Sequence, residues 1–200
     1  MRRSAAPSRR GRLSDELEVK ARVIDVPRLR RALRRAGARL EFRGRMTDHR
    51  YDRARQLTRR DEVLRLRVYR PAGRGAGHAV LTWKGAASTR GGYRHRAELE
   101  LDVADPAAIE TLLARLHYRV TLAIDRRVEV FRLGRAMLRL ERYPRMDTLL
   151  EVEGTPPSIE RAIAATGLPR DAFRSESLPY FTAAYRRRTG RRALLAGGRP

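Results

Sequence analysis

Three pairs of glutamates in this sequence are each separated by a single residue. The pairs are Glu16 and Glu18, Glu98 and Glu100, and Glu151 and Glu153. Residues two apart on a β-strand point to the same face, so each pair would present two carboxylates together. Carboxylate oxygens are the ligands that a hard divalent cation such as Mg²⁺ takes. If the strands bring the pairs to one place, the spacing predicts a metal site.

Cationic side chains occupy the same alternating positions of the predicted strands. They share a face with these glutamates or lie on strands near them, and they are Lys20, Arg65, Arg67, Lys84, Arg94, Arg96 and Arg139. Guanidinium and ammonium groups bind phosphate oxygens through charge-assisted hydrogen bonds. A face that mixes carboxylates with cations is therefore expected to bind an anion that carries a metal ion.

Two arrangements of the strands can hold such a face. In the simpler one, an antiparallel sheet turns its charged face to water, which accounts for each strand taken singly. In the other, eight antiparallel strands close into a barrel whose interior holds one small ligand. The near absence of Ser, Thr and Gln from the charged face favours the barrel. We therefore predict inward charges, with Leu17, Val19, Leu66, Leu99 and Val152 outward beneath helices.

The strands and helices that would position these residues are predicted from the spacing of apolar residues and from the prolines that begin helices. Alternating or apolar segments predict eight strands, at about residues 16–20, 45–52, 63–70, 78–85, 93–103, 120–131, 135–142 and 147–153. Four short helices are predicted to begin near Pro27, Pro106, Pro156 and Pro179. Residues 86–92 are predicted to be a flexible connector. Helices this scattered do not fit a parallel sheet, so we predict an α+β fold built on a closed eight-stranded antiparallel β-barrel.

Composition limits the classes of protein. The 200 residues carry a formal net charge of +23, which attracts polyanions, and include no cysteine. Much of the charge lies in arginine-rich ends, predicted to be a disordered tail over 1–13 and a flexible tail over 189–200, around one domain at 14–188. Nucleic acid is expected to bind only non-specifically, through these tails. No apolar run approaches the ~18 residues of a membrane span, so we expect a cytoplasmic protein with no membrane partner.

Lysine is scarce in this chain. All but two of the 46 cationic residues are arginines, and the two lysines are Lys20 and Lys84. A compact, rotatable ammonium and a planar guanidinium bind oxygen differently. The scarcity predicts that these two positions require an ammonium group.

The segment Glu16-Leu17-Glu18-Val19-Lys20 resembles the Glu-x-Glu-x-Lys signature of the CYTH superfamily. These triphosphate tunnel metalloenzymes include class IV adenylyl cyclases, thiamine triphosphatases and inorganic triphosphatases. Later segments resemble the family's blocks in the same order, over residues 14–188. They are Tyr51-Asp52, Leu64-Arg65-Leu66-Arg67, Leu81-Thr82-Trp83-Lys84-Gly85, Arg96-Ala97-Glu98-Leu99-Glu100, Arg126-Arg127, Leu140-Glu141 and Leu150-Glu151-Val152-Glu153-Gly154.

The resemblance implies roles for individual residues. The implied metal ligands, for Mg²⁺ with Mn²⁺ as an alternative, are Glu16, Glu18, Glu98, Glu100, Glu141, Glu151 and Glu153. The implied triphosphate-binding residues are Lys20, Arg65, Arg67, Lys84, Arg96, Arg127 and Arg139. Glu16, Glu18 and Lys20 are the expected catalytic residues. Glu141 departs from the family pattern, which usually has Asp there.

We therefore expect an Mg²⁺-dependent phosphohydrolase that acts on a small triphosphate, inorganic triphosphate first. Two alternatives stay open at this stage. One is a class IV adenylyl cyclase that makes cyclic AMP from ATP. The other is a non-catalytic module that binds polyphosphate or RNA, which the net charge favours but three Glu-x-Glu pairs do not. The oligomeric state is open, with a homodimer among the options.

Overall fold

The computed structural model describes residue 11 and residues 13–197. Within them the chain forms nine strands: β1 (Ser14–Val23), β2 (Arg39–Asp52), β3 (Val63–Pro71), β4 (His78–Lys84), β5 (Ser88–Arg90), β6 (Tyr93–Val103), β7 (Arg119–Leu133), β8 (Ala136–Arg142) and β9 (Thr148–Glu153). The same residues form five α-helices: α1 (Val26–Arg35), α2 (Gln56–Arg59), α3 (Pro106–Arg115), α4 (Pro156–Thr166) and α5 (Leu178–Thr189). None of these helices is both long and apolar enough to cross a membrane.

Eight of the strands close into an antiparallel barrel. Their order is β1-β9-β8-β7-β2-β3-β4-β6, and β6 pairs back onto β1 to complete the ring. Strand β1 therefore contributes to two seams, with Glu16 opposite Arg96 on β6 and Lys20 opposite Glu151 on β9. The predicted α+β fold with a closed eight-stranded barrel is confirmed.

The helices cover an apolar layer on the outside of the barrel. Asp25 caps α1 by accepting a hydrogen bond from the backbone nitrogen of Arg28 at 2.8 Å, and α4 ends at Gly167 in the left-handed conformation. These two helices pack on β1, β8 and β9 over a core that includes Val19 and Val152. Of the other residues predicted to face outward, Leu66 is buried beside α3, while Leu17 and Leu99 are half-buried.

A ninth strand lies where a flexible connector was expected. Residues Ser88–Arg90 pair with the start of β6, so the prediction of an unstructured loop over 86–92 is wrong at its centre. Gly91 and Gly92 have φ values of 58° and 81°, and two consecutive left-handed positions make a tight hairpin turn. The glycines that suggested flexibility instead connect β5 to β6.

Part of the C-terminal segment is fixed against the barrel. The nitrogen of Asp125 donates to the carbonyl of Leu195 at 2.8 Å, and Leu194 pairs with Arg145. The stretch around 194–195 therefore makes backbone hydrogen bonds to β7 and to Arg145, which follows β8, while the flexible tail over 189–200 stays a prediction. Residues 1–10, 12 and 198–200 of the predicted tails lie outside the described residues.

Candidate functional site

Charged side chains line a cavity of about 230 Å³ inside the barrel, which we call the tunnel. Every barrel strand contributes at least one charged group. The charged lining residues on the strands are Glu16, Glu18, Lys20, Asp48, Arg50, Arg65, Arg67, Lys84, Arg94, Arg96, Arg126, Arg139, Glu141 and Glu151. Their alternation with outward apolar residues on β1, β3, β8 and β9 follows from the two-residue period of a strand.

Each of the two lysines lies between two carboxylates. The Lys20 Nζ atom is 2.6 Å from Glu18 Oε1 and 3.0 Å from Glu151 Oε2. The Lys84 Nζ atom contacts Glu16 and lies 3.3 Å from Glu98 Oε1. Although burial by itself lowers the pKa of Lys20, the attraction of Glu151 and Glu18 more than offsets it, and its pKa is raised. Lys20 is therefore a fixed positive charge, suited to binding an anion and unsuited to accepting a proton.

Carboxylates outnumber lysines in the part of the tunnel around Lys20 and Lys84, which we call the acidic end. Its carboxylates are Glu16, Glu18, Glu98, Glu151 and Glu153. Burial, with Glu16 nearby, raises the pKa of Glu153 to about 8. Burial also raises the pKa of Glu18 and of Glu98 against the opposing effect of the lysines. Burial and the neighbouring carboxylates thus disfavour the ionised forms of these three glutamates, a condition that a bound cation would relieve.

Arginines dominate the other part of the tunnel around one buried aspartate. Arg67 binds Asp48 through two nitrogens at 2.7 and 2.9 Å, and Arg126 adds a hydrogen bond at 3.0 Å. These cations hold the pKa of Asp48 well below its usual range despite burial. Burial and the neighbouring Arg65 guanidinium lower the pKa of Arg50 to about 10. Positive charge is therefore in excess in this part of the tunnel.

Several arginines in the tunnel have nitrogens without a hydrogen-bond partner. Among the described residues, the buried atoms in this condition are Arg50 Nε, Arg65 Nε, Arg96 Nε, Arg126 Nη1 and Arg139 Nε. Leaving a buried donor unsatisfied costs about 1–3 kcal/mol, and more for a charged group. All five belong to residues that line the same cavity, which is the donor arrangement of an anion site.

The structure gathers most of the residues singled out from the sequence. Those lining the tunnel, or interacting electrostatically with its lining residues, are Glu16, Glu18, Lys20, Arg65, Arg67, Lys84, Arg96, Glu98, Arg139, Glu141, Glu151 and Glu153. Glu100 lies at the edge, 38% exposed, and accepts a hydrogen bond from Thr82 at 3.2 Å. Glu141 lies among the arginines, bound by Arg126 and Tyr143 and apart from the acidic end.

Arg127 does not belong to this set. Its side chain is exposed on the outside of β7, and its neighbour Arg126 points inward instead. The structure places Arg127 outside the tunnel because β7 reverses the usual pattern: apolar Ile124 lines the tunnel while Asp125 faces the other way. On this strand an apolar residue in the alternating pattern, Ile124, therefore lies on the inner face.

Sequence reasoning missed four tunnel residues, Asp48, Arg50, Arg126 and Tyr143. On β2 the inward positions include apolar Met46 as well as charged residues, so no charged face was evident. The signal that could have found Asp48 and Arg50 is their two-residue spacing on a strand paired with β3. Tyr143 follows β8, and its hydroxyl donates to Glu141.

Comparison with known proteins identifies the family. Residues 14–163 match the family model described as the CYTH domain. The chain belongs to the CYTH family. The match ends before α5, so it is shorter than the resemblance over 14–188 inferred from the motifs. No curated protein matches the sequence.

Solved structures share the CYTH barrel at low sequence identity. The PH1012 protein of Pyrococcus horikoshii OT3 has a TM-score of 0.66 at 21% identity, covering 83% of this chain and 98% of that one. A Vibrio parahaemolyticus protein, a candidate adenylate cyclase, has a TM-score of 0.70 at 18% identity, covering 84% and 97%. A candidate adenylyl cyclase from Hippeastrum with dominant triphosphatase activity has a TM-score of 0.58 at 18% identity, covering 92% and 100%. At these identities the likeness establishes the fold.

CYTH domains typically use a divalent metal, and the chemistry of the acidic end fits one. Its donors are carboxylate oxygens, the ligand type of Mg²⁺ and Mn²⁺, and a bound cation would favour the ionised form of the buried Glu153. In the described residues, no three acidic or histidine side chains already lie together in a metal-binding arrangement. Lys20 and Lys84 hold these carboxylates instead, so a metal ion would compete with the lysines.

Proposed function

We propose that this protein binds the triphosphate group of a small molecule inside the tunnel and hydrolyses it with the help of a divalent cation. The observation that carries the proposal is the set of five buried arginine nitrogens without partners. A triphosphate is a chain of acceptor oxygens that would satisfy several of these donors at once.

The two lysines support the same substrate class. Each ammonium is held by carboxylates at the acidic end and faces a cavity shared with the arginines. A phosphate oxygen arriving at Lys20 or Lys84 would replace one carboxylate, which would then be available to a cation. Binding of the anion and binding of the metal would thus support each other.

The carboxylates that would hold a metal ion are Glu16, Glu18, Glu151 and Glu153, with Glu98 and Glu100 supporting them. When bound, a divalent cation neutralises charge on phosphate oxygens and polarises them. Glu141 is not in our proposed set, because Arg126 and Tyr143 already occupy its oxygens.

The size of the tunnel favours a compact substrate. A cavity of about 230 Å³ is smaller than the roughly 300–1,000 Å³ of typical small-molecule sites. Inorganic triphosphate needs no room for a base or a ribose, so we propose it as the preferred substrate. Hydrolysis would consume one water, break one phosphoanhydride bond and release orthophosphate and pyrophosphate.

A product assay tests the proposal. Purified protein is incubated with tripolyphosphate, thiamine triphosphate or ATP, with Mg²⁺, with Mn²⁺ or with a chelator, and both orthophosphate and cyclic AMP are measured. We expect orthophosphate from tripolyphosphate that depends on the metal. Cyclic AMP as the main product from ATP would establish the cyclase instead. No product from any substrate with either metal would contradict an enzymatic role.

A matched pair of variants assigns the reaction to the tunnel. Glu18→Gln removes a carboxylate charge at the acidic end, whereas Glu110→Gln makes the same change on exposed α3, where the side chain contacts His49. We expect turnover to fall at least ~100-fold in E18Q and to stay near wild type in E110Q. Equal turnover in the two variants would remove Glu18 from the site.

A further inference from the structure

A second cavity lies on the outside of the barrel, where β3, β2, β7 and β8 run side by side. Its volume is about 900 Å³, well above that of the tunnel. Six arginines line it, namely Arg43, Arg45, Arg70, Arg126, Arg127 and Arg142. Among the described residues, Asp125 is the only acid in its lining, so this outer groove is strongly positive.

Four of these arginines form one row across four strands. Arg45 on β2 lies directly opposite Arg70 on β3 and Arg127 on β7, and Arg127 lies opposite Arg142 on β8. Adjacent strands are about 4.8 Å apart, so the row spans about 14 Å. It runs across the sheet and presents four guanidinium groups to one side.

The carboxylates near the row cannot neutralise it. Asp125 binds only Arg45, at 2.7 Å. Glu129 lies 3.5 Å from Arg142 but already accepts a hydrogen bond from Arg30 at 2.9 Å. Among the described residues, Arg70 and Arg127 have no carboxylate partner within 4 Å.

Like charges directly opposite each other destabilise an antiparallel sheet. Inside the barrel, single like-charged neighbours such as Arg50 and Arg65 occur beside neighbours of opposite charge such as Lys20 and Glu151. The outer row contains three consecutive pairs of like charge. An anion lying along the row would remove this repulsion.

We propose that the outer groove binds an extended chain of phosphate groups, specifically inorganic polyphosphate. A linear polyanion matches a row of evenly spaced cations on one face. The aromatic contribution to the groove is one half-buried tyrosine, Tyr143, whose hydroxyl is bonded to Glu141. Single-stranded nucleic acids are held largely by bases stacked on aromatic side chains, so this lining favours a chain without bases. Arg126 and Tyr143 line both cavities, but the four arginines of the row lie outside the tunnel, so binding along the row does not depend on hydrolysis there.

Direct binding measurements test this proposal. Fluorescently labelled long-chain polyphosphate is titrated with full-length protein at several salt concentrations. The test variant R70Q/R142Q removes both ends of the row, and R127Q removes a central member. The control R31Q/R35Q removes two exposed charges from α1, away from the groove, so the net charge of the two double variants is equal.

We expect R70Q/R142Q to bind long-chain polyphosphate about tenfold or more weakly at 0.1 M salt, with the slope of log affinity against log salt reduced by about 1.4. R127Q should show about half that reduction in slope. Affinity for tripolyphosphate should be unchanged in R70Q/R142Q, because the tunnel is intact. The proposal is overturned if R31Q/R35Q loses as much affinity, or if R70Q/R142Q loses none. Equal binding of single-stranded RNA, with equal loss in R70Q/R142Q, would overturn the commitment to a base-free chain.

Discussion

Asp48→Asn is the substitution that tests most directly how the tunnel is held together. Asp48 is 1% exposed and accepts three hydrogen bonds from Arg67 and Arg126, at 2.7, 2.9 and 3.0 Å. An asparagine has nearly the same shape but no charge, and its amide nitrogen cannot accept. The variant would leave two buried guanidinium groups facing a neutral and partly mismatched partner.

Removing one partner from a buried ion pair costs about 3–5 kcal/mol of unfolding free energy. For a chain of about this length, 1 kcal/mol lowers the Tm by about 2–4 °C. We therefore expect the Tm of D48N to fall by about 10 °C. Glu41→Gln is the matched control, because Glu41 pairs with the exposed Arg39 and such surface pairs are worth only about 0–1 kcal/mol.

The pKa of Asp48 adds a second check. Because its pKa is lowered in the folded protein, its stabilising contribution is complete above the unfolded value of about 3.9 and is lost only as the pH falls through the folded value. The difference in Tm between wild type and D48N should thus be the same at pH 5 and pH 8. A D48N protein within about 2 °C of wild type would refute this account of the tunnel.

Two other predictions concern smaller changes. Lys20→Arg and Lys84→Arg should each lower turnover although the charge is unchanged, because a guanidinium is too large for an ammonium position between two carboxylates. Measuring kcat and Tm for each variant tests this prediction. Full activity in both variants would contradict it. Gly44→Ala should lower the Tm clearly, because its Cβ would lie 2.1 Å from the backbone oxygen of Arg70, while Gly73→Ala, with open space around it, should have little effect. Similar Tm values for the two glycine variants would contradict the second prediction.

The sequence predicted the barrel and much of its lining because several strands follow a strict two-residue period. On β1, β3 and β9, charged residues such as Glu18, Arg67 and Glu151 alternate with buried apolar ones, so their common face could be recognised. On β2 and β7 the inner face also includes Met46 and Ile124, and periodicity alone could not find Asp48 or Arg126.

The outer groove could not be predicted from the sequence for a different reason. Arg70, Arg45, Arg127 and Arg142 lie far apart along the chain, and only the register of four strands brings them into one row. In a chain this rich in arginine, no single one of them is distinctive. The row of arginines is created by long-range strand pairing, which no single stretch of the sequence reveals.

The double seam of β1 has a consequence for how the protein is made. Strand β1 precedes the other eight described strands, yet one of its partners, β9, follows more than a hundred residues later. Contacts between such distant segments form slowly, because loop closure must come before the bonds that compensate for it. The Glu16 end of β1 can pair with β6 earlier, but Lys20 must wait for Glu151 on β9. The acidic end of the tunnel is therefore completed only with the last strand, and recovery of ligand binding during refolding would report on the whole barrel.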